Sequence, residues 1–386
     1  MKKQKTNKKS NARKLNKKLI ILIVILIVIA IPGVISRFIY NGYFIRPREL
    51  PQSERLNCKP ENLSFEGLDR DRYEFASNNN QTLVGYNYHK TDTPKALIIF
   101  IHGFGGSHSF YKPLINALAD RGYWVFAFDG TGTGESDGDS MVGFEQHVID
   151  LEYAIRFVQN EEAFHDLQIS LVGHSWGGYA AAAVLNTEPK ISSVVSISGF
   201  SSAYDLELDE LNDKIGAVGD LALPYLKLTQ LQKFGRYEHY TGINGFRKTN
   251  TPGLIIASED DDVVAPEYGY KLYKSKLPES RLEYLIFNHR GHHPYWTDEA
   301  WQKYSDFMDC MSGSCKDESE QKIWDEALDD ISERYSLTDD DIVSDYPEAW
   351  TEAINFLNSR FSAEILENSV NEAVIDKIDD FITKYL

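Results

Sequence analysis

The sequence predicts an α/β fold, a mostly parallel central sheet flanked by helices, and two patterns predict it. Short apolar runs recur along the chain, as expected of strands buried on both faces. Amphipathic helical stretches fill the gaps between them, which implies a sheet covered on both sides. A third observation bounds the size: 386 residues with 42% hydrophobic and 12% aromatic content can build one elaborated core.

The chain opens on a basic tail: residues 1–18 hold nine Lys or Arg and no acidic residue. Residues 19–35 read LIILIVILIVIAIPGVI, uncharged and almost wholly aliphatic. As a helix this run spans ~25 Å, close to the thickness of a bilayer core. Residues 19–36 are therefore expected to be a transmembrane anchor. The basic tail would be cytoplasmic and the rest of the chain extracytoplasmic. A cleaved signal peptide is the competing reading, but its apolar region is usually ~7–15 residues and ends in an A-x-A-like site. A soluble buried helix fits worst, because the run has no polar face.

Residues 37–71 read as an irregular linker containing Pro47, Pro51 and Pro60. The folded domain spans 72–386. Its first two strands are expected at 73–76 and 82–88, joined by a turn at Asn78, Asn79 and Asn80. Apolar runs at 96–101, 123–128, 167–172, 193–197, 253–257 and 282–287 complete the set. Phe144, Val148, Leu151, Ile155 and Val158 share one face of a helix.

Residues 201–250 lack a clear strand and carry Leu221, Leu223, Leu226 and Leu228 around Pro224. They read equally as a small lid over a pocket or as connecting helices. Residues 298–368 read as a helical acidic insertion, and 369–386 as a final helix. From 298 onward there are 24 acidic and 7 basic residues. Val370, Val374, Ile378, Phe381 and Ile382 mark an apolar stripe that can pack on the sheet. Asp339, Asp340 and Asp341 lack the spacing and glycine of a calcium loop and read as solvated surface.

The net charge of −18 hides an asymmetry: beyond residue 18 there are 31 basic and 58 acidic residues. Such a body argues against nucleic acid as a partner. Cys58, Cys310 and Cys315 are too sparse for a disulfide scaffold and lack zinc-ligand spacing, although Cys310 and Cys315 could pair outside the cytoplasm. No cofactor or metal is expected, and the oligomeric state is not legible.

The strongest chemical signal is Gly173-His174-Ser175-Trp176-Gly177, between a strand and a helical run. A nucleophile in this G-x-S-x-G turn sits in a tight bend, so side chains two residues before and after would clash. Its oxygen points out above the sheet at a helix N-terminus, where backbone N–H groups can stabilise an anion. A serine hydroxyl needs a base, and the order Ser, acid, His is expected. Ser258-Glu259-Asp260-Asp261-Asp262 follows one strand and Asn288-His289-Arg290-Gly291-His292-His293 the next. Both loops lie at the carboxyl ends of strands, where open α/β sheets place their sites. Gly130 to Gly134 lacks the spacing and lysine of a phosphate loop and reads as a tight turn.

Over roughly 72–297 plus the final helix, the chain resembles the α/β-hydrolase superfamily. Within it, the likeness is to serine-aminopeptidase-like and monoacylglycerol-lipase-like hydrolases. The family's oxyanion loop matches His102-Gly103-Phe104-Gly105-Gly106, and its D-x-x-G-x-G-x-S stretch matches Asp129 to Ser136. Its elbow matches at Ser175. The family's acid lies three residues past a glycine closing a strand. Ser258 stands in place of that glycine, which puts the acid at Asp261, with Asp260 and Asp262 as alternatives. The family's Gly-His pair matches Gly291-His292 and makes His292 the base, with His293 and His289 as alternatives.

The resemblance implies a carboxylic-ester hydrolase in which Ser175 attacks a small-molecule acyl substrate, His292 relays the proton and Asp261 orients His292. Backbone N–H groups of Phe104 and Trp176 would form the oxyanion hole. His102 would buttress the loop, and His174 would line the pocket or pack. A peptidase, thioesterase or acyltransferase would use the same residues. The different-class alternative is a surface binding protein that keeps the fold without catalysis.

Overall fold

The computed structural model describes residues 33–34, 36–38, 40–46, 63–206, 219–303 and 368–386, with isolated positions at 19, 22, 322, 325, 326 and 329. Eight strands form one sheet: β1 (Asp69–Ala76), β2 (Thr82–His89), β3 (Leu97–Ile101), β4 (Trp124–Phe128), β5 (Ile169–His174), β6 (Ser193–Ile197), β7 (Gly253–Ser258) and β8 (Leu282–Phe287). Their spatial order is β1-β2-β4-β3-β5-β6-β7-β8. The pairings β1–β2 and β2–β4 are antiparallel, and every later pairing is parallel.

All eight expected strands are present, with shifted ends. β1 starts at Asp69, because its first half is the exposed, charged edge Asp69-Arg70-Asp71-Arg72, which no apolar pattern marks. β5 begins at Ile169 and runs on to His174, where the backbone still pairs with Ile197 of β6.

Side chains of β3 alternate between two apolar layers, as a period of two requires. Leu97, Ile99 and Ile101 face α2 (Phe144–Asn160), α3 (Trp176–Ala183) and α5 (Gly242–Lys248). Ile98 and Phe100 face α1 (Lys112–Asp120) and α7 (Glu372–Thr383). α4 (Gly219–Phe234) and α6 (Tyr270–Lys276) are two further helices. Phe144, Val148, Leu151, Ile155 and Val158 of α2 are all buried, as their spacing predicts. The final helix is shorter than 369–386, and Val370 precedes it in an isolated bridge to Trp296.

Residues 201–250 hold α4 and α5, with 207–218 outside the described residues. Pro224 lies inside α4, and Leu228 and Leu231 are exposed on it. Within the stretch read as a linker, 40–46 pack onto the domain, and Ile45 forms an antiparallel bridge with Ser140. Most of 19–35 lies outside the described residues, as do the three cysteines, Asp339 to Asp341 and most of 304–367. Among the described residues no helix is long and apolar enough to cross a membrane.

The parallel register aligns the carboxyl ends of β3 to β8. Ile101 pairs with Gly173, His174 with Ile197, and Ser258 with Phe287. The loops leaving these ends carry every residue singled out above.

Candidate active site

Ser175 is the residue between β5 and α3, with φ 55° and ψ −119°, an unfavourable conformation for a side chain larger than glycine. The flanking glycines make the bend sterically feasible. A Cβ on Gly173 would lie 2.2 Å from the Gly177 carbonyl oxygen, and one on Gly177 would lie 2.1 Å from that of Ile101. The bend is held by Ser175 N–H donating to Ile197 O at 2.8 Å. Ser175 is 9% exposed.

His292 sits in the loop after β8, with its side chain 10% exposed, and Asp261 follows β7, with its side chain 3% exposed. The imidazole Nδ1 lies 3.0 Å from both carboxylate oxygens of Asp261. Asp261 also accepts N–H bonds from Val263 at 3.0 Å and Val264 at 2.9 Å. The pair approaches the elbow through His174, whose ring lies 4.8 Å from that of His292. Among the described residues Ser175 Oγ makes no hydrogen bond; such contacts often close only when substrate is bound.

The alternative residues have other partners. Asp260 accepts from Arg290 N–H at 3.1 Å and Gly291 N–H at 2.9 Å, so it clamps the histidine loop. Asp262 is exposed. His293 stacks on Trp296 at 4.1 Å and 13°, and burial holds it neutral. His289 is exposed. Ser258, standing where the family has glycine, braces the same loop, since it donates to Asp260 and accepts from Arg290 N–H at 3.0 Å.

The loop after β3 lies against Ser175. A Cβ on Gly103 would lie 3.4 Å from Ser175 Cβ. Trp176 opens α3, so its N–H has no acceptor within the helix. The Phe104 N–H donates to no backbone carbonyl among the described residues. His102 buttresses this loop. Its Nδ1 donates to Gly103 O at 2.7 Å, and its Nε2 accepts from Gly130 N–H at 3.0 Å. Burial lowers its pKa, consistent with a neutral ring.

The Asp129 stretch is structural. Asp129 accepts from His108 N–H and ring Nδ1, each at 2.8 Å, and from Glu135 N–H at 2.9 Å. Burial would raise its pKa, but His108, together with smaller contributions from His102 and the Glu135 N–H, outweighs burial and holds it at about 2. A Cβ on Gly134 would lie 2.1 Å from its carboxylate. Ser136 Oγ donates to Asp129 O at 2.6 Å and accepts from Val84 N–H of β2 at 2.9 Å. The glycines thus serve a tight turn.

Two residues escaped the sequence reading as a linked pair. Tyr111 OH accepts from Gly103 N–H at 3.0 Å and bonds His174 Nδ1 at 2.9 Å. The His174 Nε2 lies 2.8 Å from the backbone oxygen of His292, which can only accept, so Nε2 carries the proton and Nδ1 accepts from the Tyr111 hydroxyl. Burial first, and His292 second, lower the pKa of His174 to about 3, so the tautomer persists across neutral pH. One chain of hydrogen bonds therefore ties the loop after β3, the elbow and the backbone of His292. Only a tyrosine near the start of α1 hints at it in the sequence.

Part of the chain is similar in sequence to known proteins. The Hydrolase_4 family, serine aminopeptidase S33, matches residues 92–241. That range holds Phe104 and Ser175 but neither Asp261 nor His292. Human monoglyceride lipase is 29% identical over 183 residues, 47% of this chain and 56% of the relative. Mouse monoglyceride lipase is 30% identical over 185 residues, 47% and 59%. The chain thus spans somewhat over half the length of these curated relatives. Among solved structures, an esterase of Pyrococcus furiosus is 18% identical with a TM-score of 0.48, covering 69% of this chain and 97% of that one. By its sheet the chain has the α/β-hydrolase fold, and over residues 92–241 it resembles the serine-aminopeptidase family.

Proposed function

We propose that the protein is a serine hydrolase that cleaves carboxylic esters of acyl or lipid-like substrates through an acyl-enzyme on Ser175. The observation that carries this is His292 Nδ1 at 3.0 Å from both oxygens of Asp261, with the His292 ring 4.8 Å from that of His174, which precedes a serine held in a strained elbow. The names of the relatives, monoglyceride lipases, favour an ester over a peptide.

In this mechanism Ser175 Oγ bonds the substrate carbonyl carbon while His292 Nε2 takes the hydroxyl proton. Asp261 fixes the ring with Nδ1–H inward and stabilises the imidazolium. The carbonyl oxygen gains negative charge and is met by the N–H groups of Phe104 and Trp176, each worth ~3 kcal/mol in comparable sites. The tetrahedral adduct expels an alkoxide, which takes the proton from His292. Water then repeats the sequence, releasing the acid and restoring Ser175.

The apolar run at 19–35 and the basic tail before it support a single-pass anchor, with the N-terminus cytoplasmic and the catalytic body extracytoplasmic. Recovery of the intact chain as a soluble cytosolic protein would overturn the anchor alone.

The enzymatic test uses the full chain in detergent. A fluorophosphonate probe should label the native protein, and Ser175→Ala should abolish both labelling and turnover of short-chain aryl esters. An unlabelled native protein whose Ser175→Ala variant matches it on those esters would make this a binding protein. Profiling acyl chain lengths against peptides decides the bond cleaved.

A further inference from the structure

The segment leading out of the apolar run does more than connect. Phe44 O accepts from Met141 N–H at 2.8 Å and from Ser140 Oγ at 2.7 Å. Arg46 N–H donates to Asp139 O at 3.1 Å. The Arg46 guanidinium donates to three carbonyls of one loop: Gly134 at 2.5 Å, Ser136 at 2.8 Å and Gly138 at 3.0 Å. That loop's other side holds Asp129. On the helical side Gly143 leaves room for Tyr40, since a Cβ there would lie 2.2 Å from its hydroxyl. The strap is therefore bolted at both ends.

Between the bolts it presents aromatic rings to the loop after β3. Phe104 is 38% exposed, and its ring is enclosed on its inner sides by four others. Tyr43 lies at 5.4 Å, Phe44 at 5.8 Å, Phe144 at 5.5 Å and Trp176 at 5.6 Å. Phe44 is 1% exposed and also packs edge-on against Phe144 at 5.1 Å. Two of the four rings restraining Phe104 thus come from the strap. A phenylalanine held by packing alone fixes its own backbone only while its neighbours stay in place. Phe104 follows Gly103 and precedes Gly105, at φ 67°; His102 Nδ1 at 2.7 Å and Gly106 N–H at 3.2 Å hold the Gly103 carbonyl on one side of the Phe104 amide, and the ring contacts hold its other side at the Phe104 Cα.

We infer that residues 40–46 are a working wall of the active site, in which Tyr43 and Phe44 are positioning residues. They hold the Phe104 ring and thereby aim its N–H at the developing oxyanion, and Arg46 locks the strap in that place. This rests on the serine-hydrolase reading above. It ties the segment next to the apolar run to the rate of the chemical step.

The test is a kcat and KM comparison for the full chain in detergent, on a soluble short-chain aryl ester. Phe44→Ala and Arg46→Gln should each lower kcat by ~10- to 100-fold, part of what removing one oxyanion donor costs. KM should stay within about three-fold, because ground-state binding does not need the donor. Phe44→Leu, which restores bulk, should recover most of kcat. Arg46→Lys should not, because one ammonium cannot match a planar fork set against three carbonyls. Tyr43→Ala, at a half-buried position, should show the same kcat-selective loss, and it serves if Phe44→Ala does not fold. Undiminished kcat in all three alanine or glutamine variants, with an active wild type, would overturn this inference alone. So would a loss confined to KM. A wild type inert to both ester and fluorophosphonate would overturn the serine-hydrolase reading, and this inference with it.

Discussion

Two aspartate–histidine pairs lie at the carboxyl edge of the sheet, and they are built for different ends. At the end of β4, Asp129 meets His108 at 2.8 Å, with side chains 0% and 4% exposed. At the end of β7, Asp261 meets His292 at 3.0 Å, with side chains 3% and 10% exposed. Burial and pairing are nearly alike. The surroundings differ. Asp129 sits at a closed junction where β2, the loop after β3 and the turn after β4 are stitched together, and His108 is capped by Tyr86 at 4.6 Å. His292 places its ring 4.8 Å from that of His174, the residue before the strained Ser175, on a loop clamped separately by Asp260 and Ser258. A buried Asp–His pair alone is thus poor evidence of catalysis; what its second ring nitrogen faces decides.

The comparison can be broken at several points. The largest expected effect is at the base. His292→Ala should cut turnover of aryl esters by ~10⁴-fold or more, whereas His293→Ala should keep it within about ten-fold. Reversed effects would move the base by one residue. Asp261→Asn should lower kcat by ~10³- to 10⁴-fold in its folded fraction, since it leaves the imidazole in the wrong tautomer.

The other pair should respond in stability rather than in rate. Asp129→Asn should cost ~3 kcal/mol of stability in urea melts, because a buried charge accepting three N–H bonds loses its match. Its folded fraction should retain kcat far better than Asp261→Asn.

Acid should separate the pairs further. With its folded pKa near 2, below the ordinary aspartate value, Asp129 adds stability that is complete above about pH 4. That stability, roughly 2 kcal/mol, should drain away as pH falls from 4 to 2. Urea midpoints for Asp129→Asn should be flatter over that window. The smallest effect is expected at Ser258→Gly, which restores the family residue but removes the acceptor for Arg290 N–H. A loss of ~1 kcal/mol or less is expected, with kcat lowered by under ten-fold.

What the sequence reveals of this arrangement follows the reach of its forces. β3 to β7 are legible because both faces are buried, so their runs are largely apolar. The first half of β1 is not, because an exposed edge strand can be charged. The elbow is legible because only glycine fits at 173 and 177. The spatial meeting of His292 with Asp261 was reachable through chain order and family likeness, although Ser258 blurred the register of the acid. Tyr111 and Arg46 were out of reach. Each acts across the fold, 63 residues from His174 in one case and about 90 from its carbonyl partners in the other, and local pattern carries no trace of such pairing.

The elbow's place in the sheet has a consequence for how the molecule breathes. Ser175 N–H is bonded to Ile197 O, and β5 lies between β3 and β6 in the interior of the sheet. Amides there exchange with solvent only when the whole domain opens. Those of the 40–46 strap and of α4, bonded at the periphery, exchange through smaller openings. Ser175 is therefore expected among the slowest amides in a hydrogen-exchange experiment, and the 40–46 strap among the faster ones.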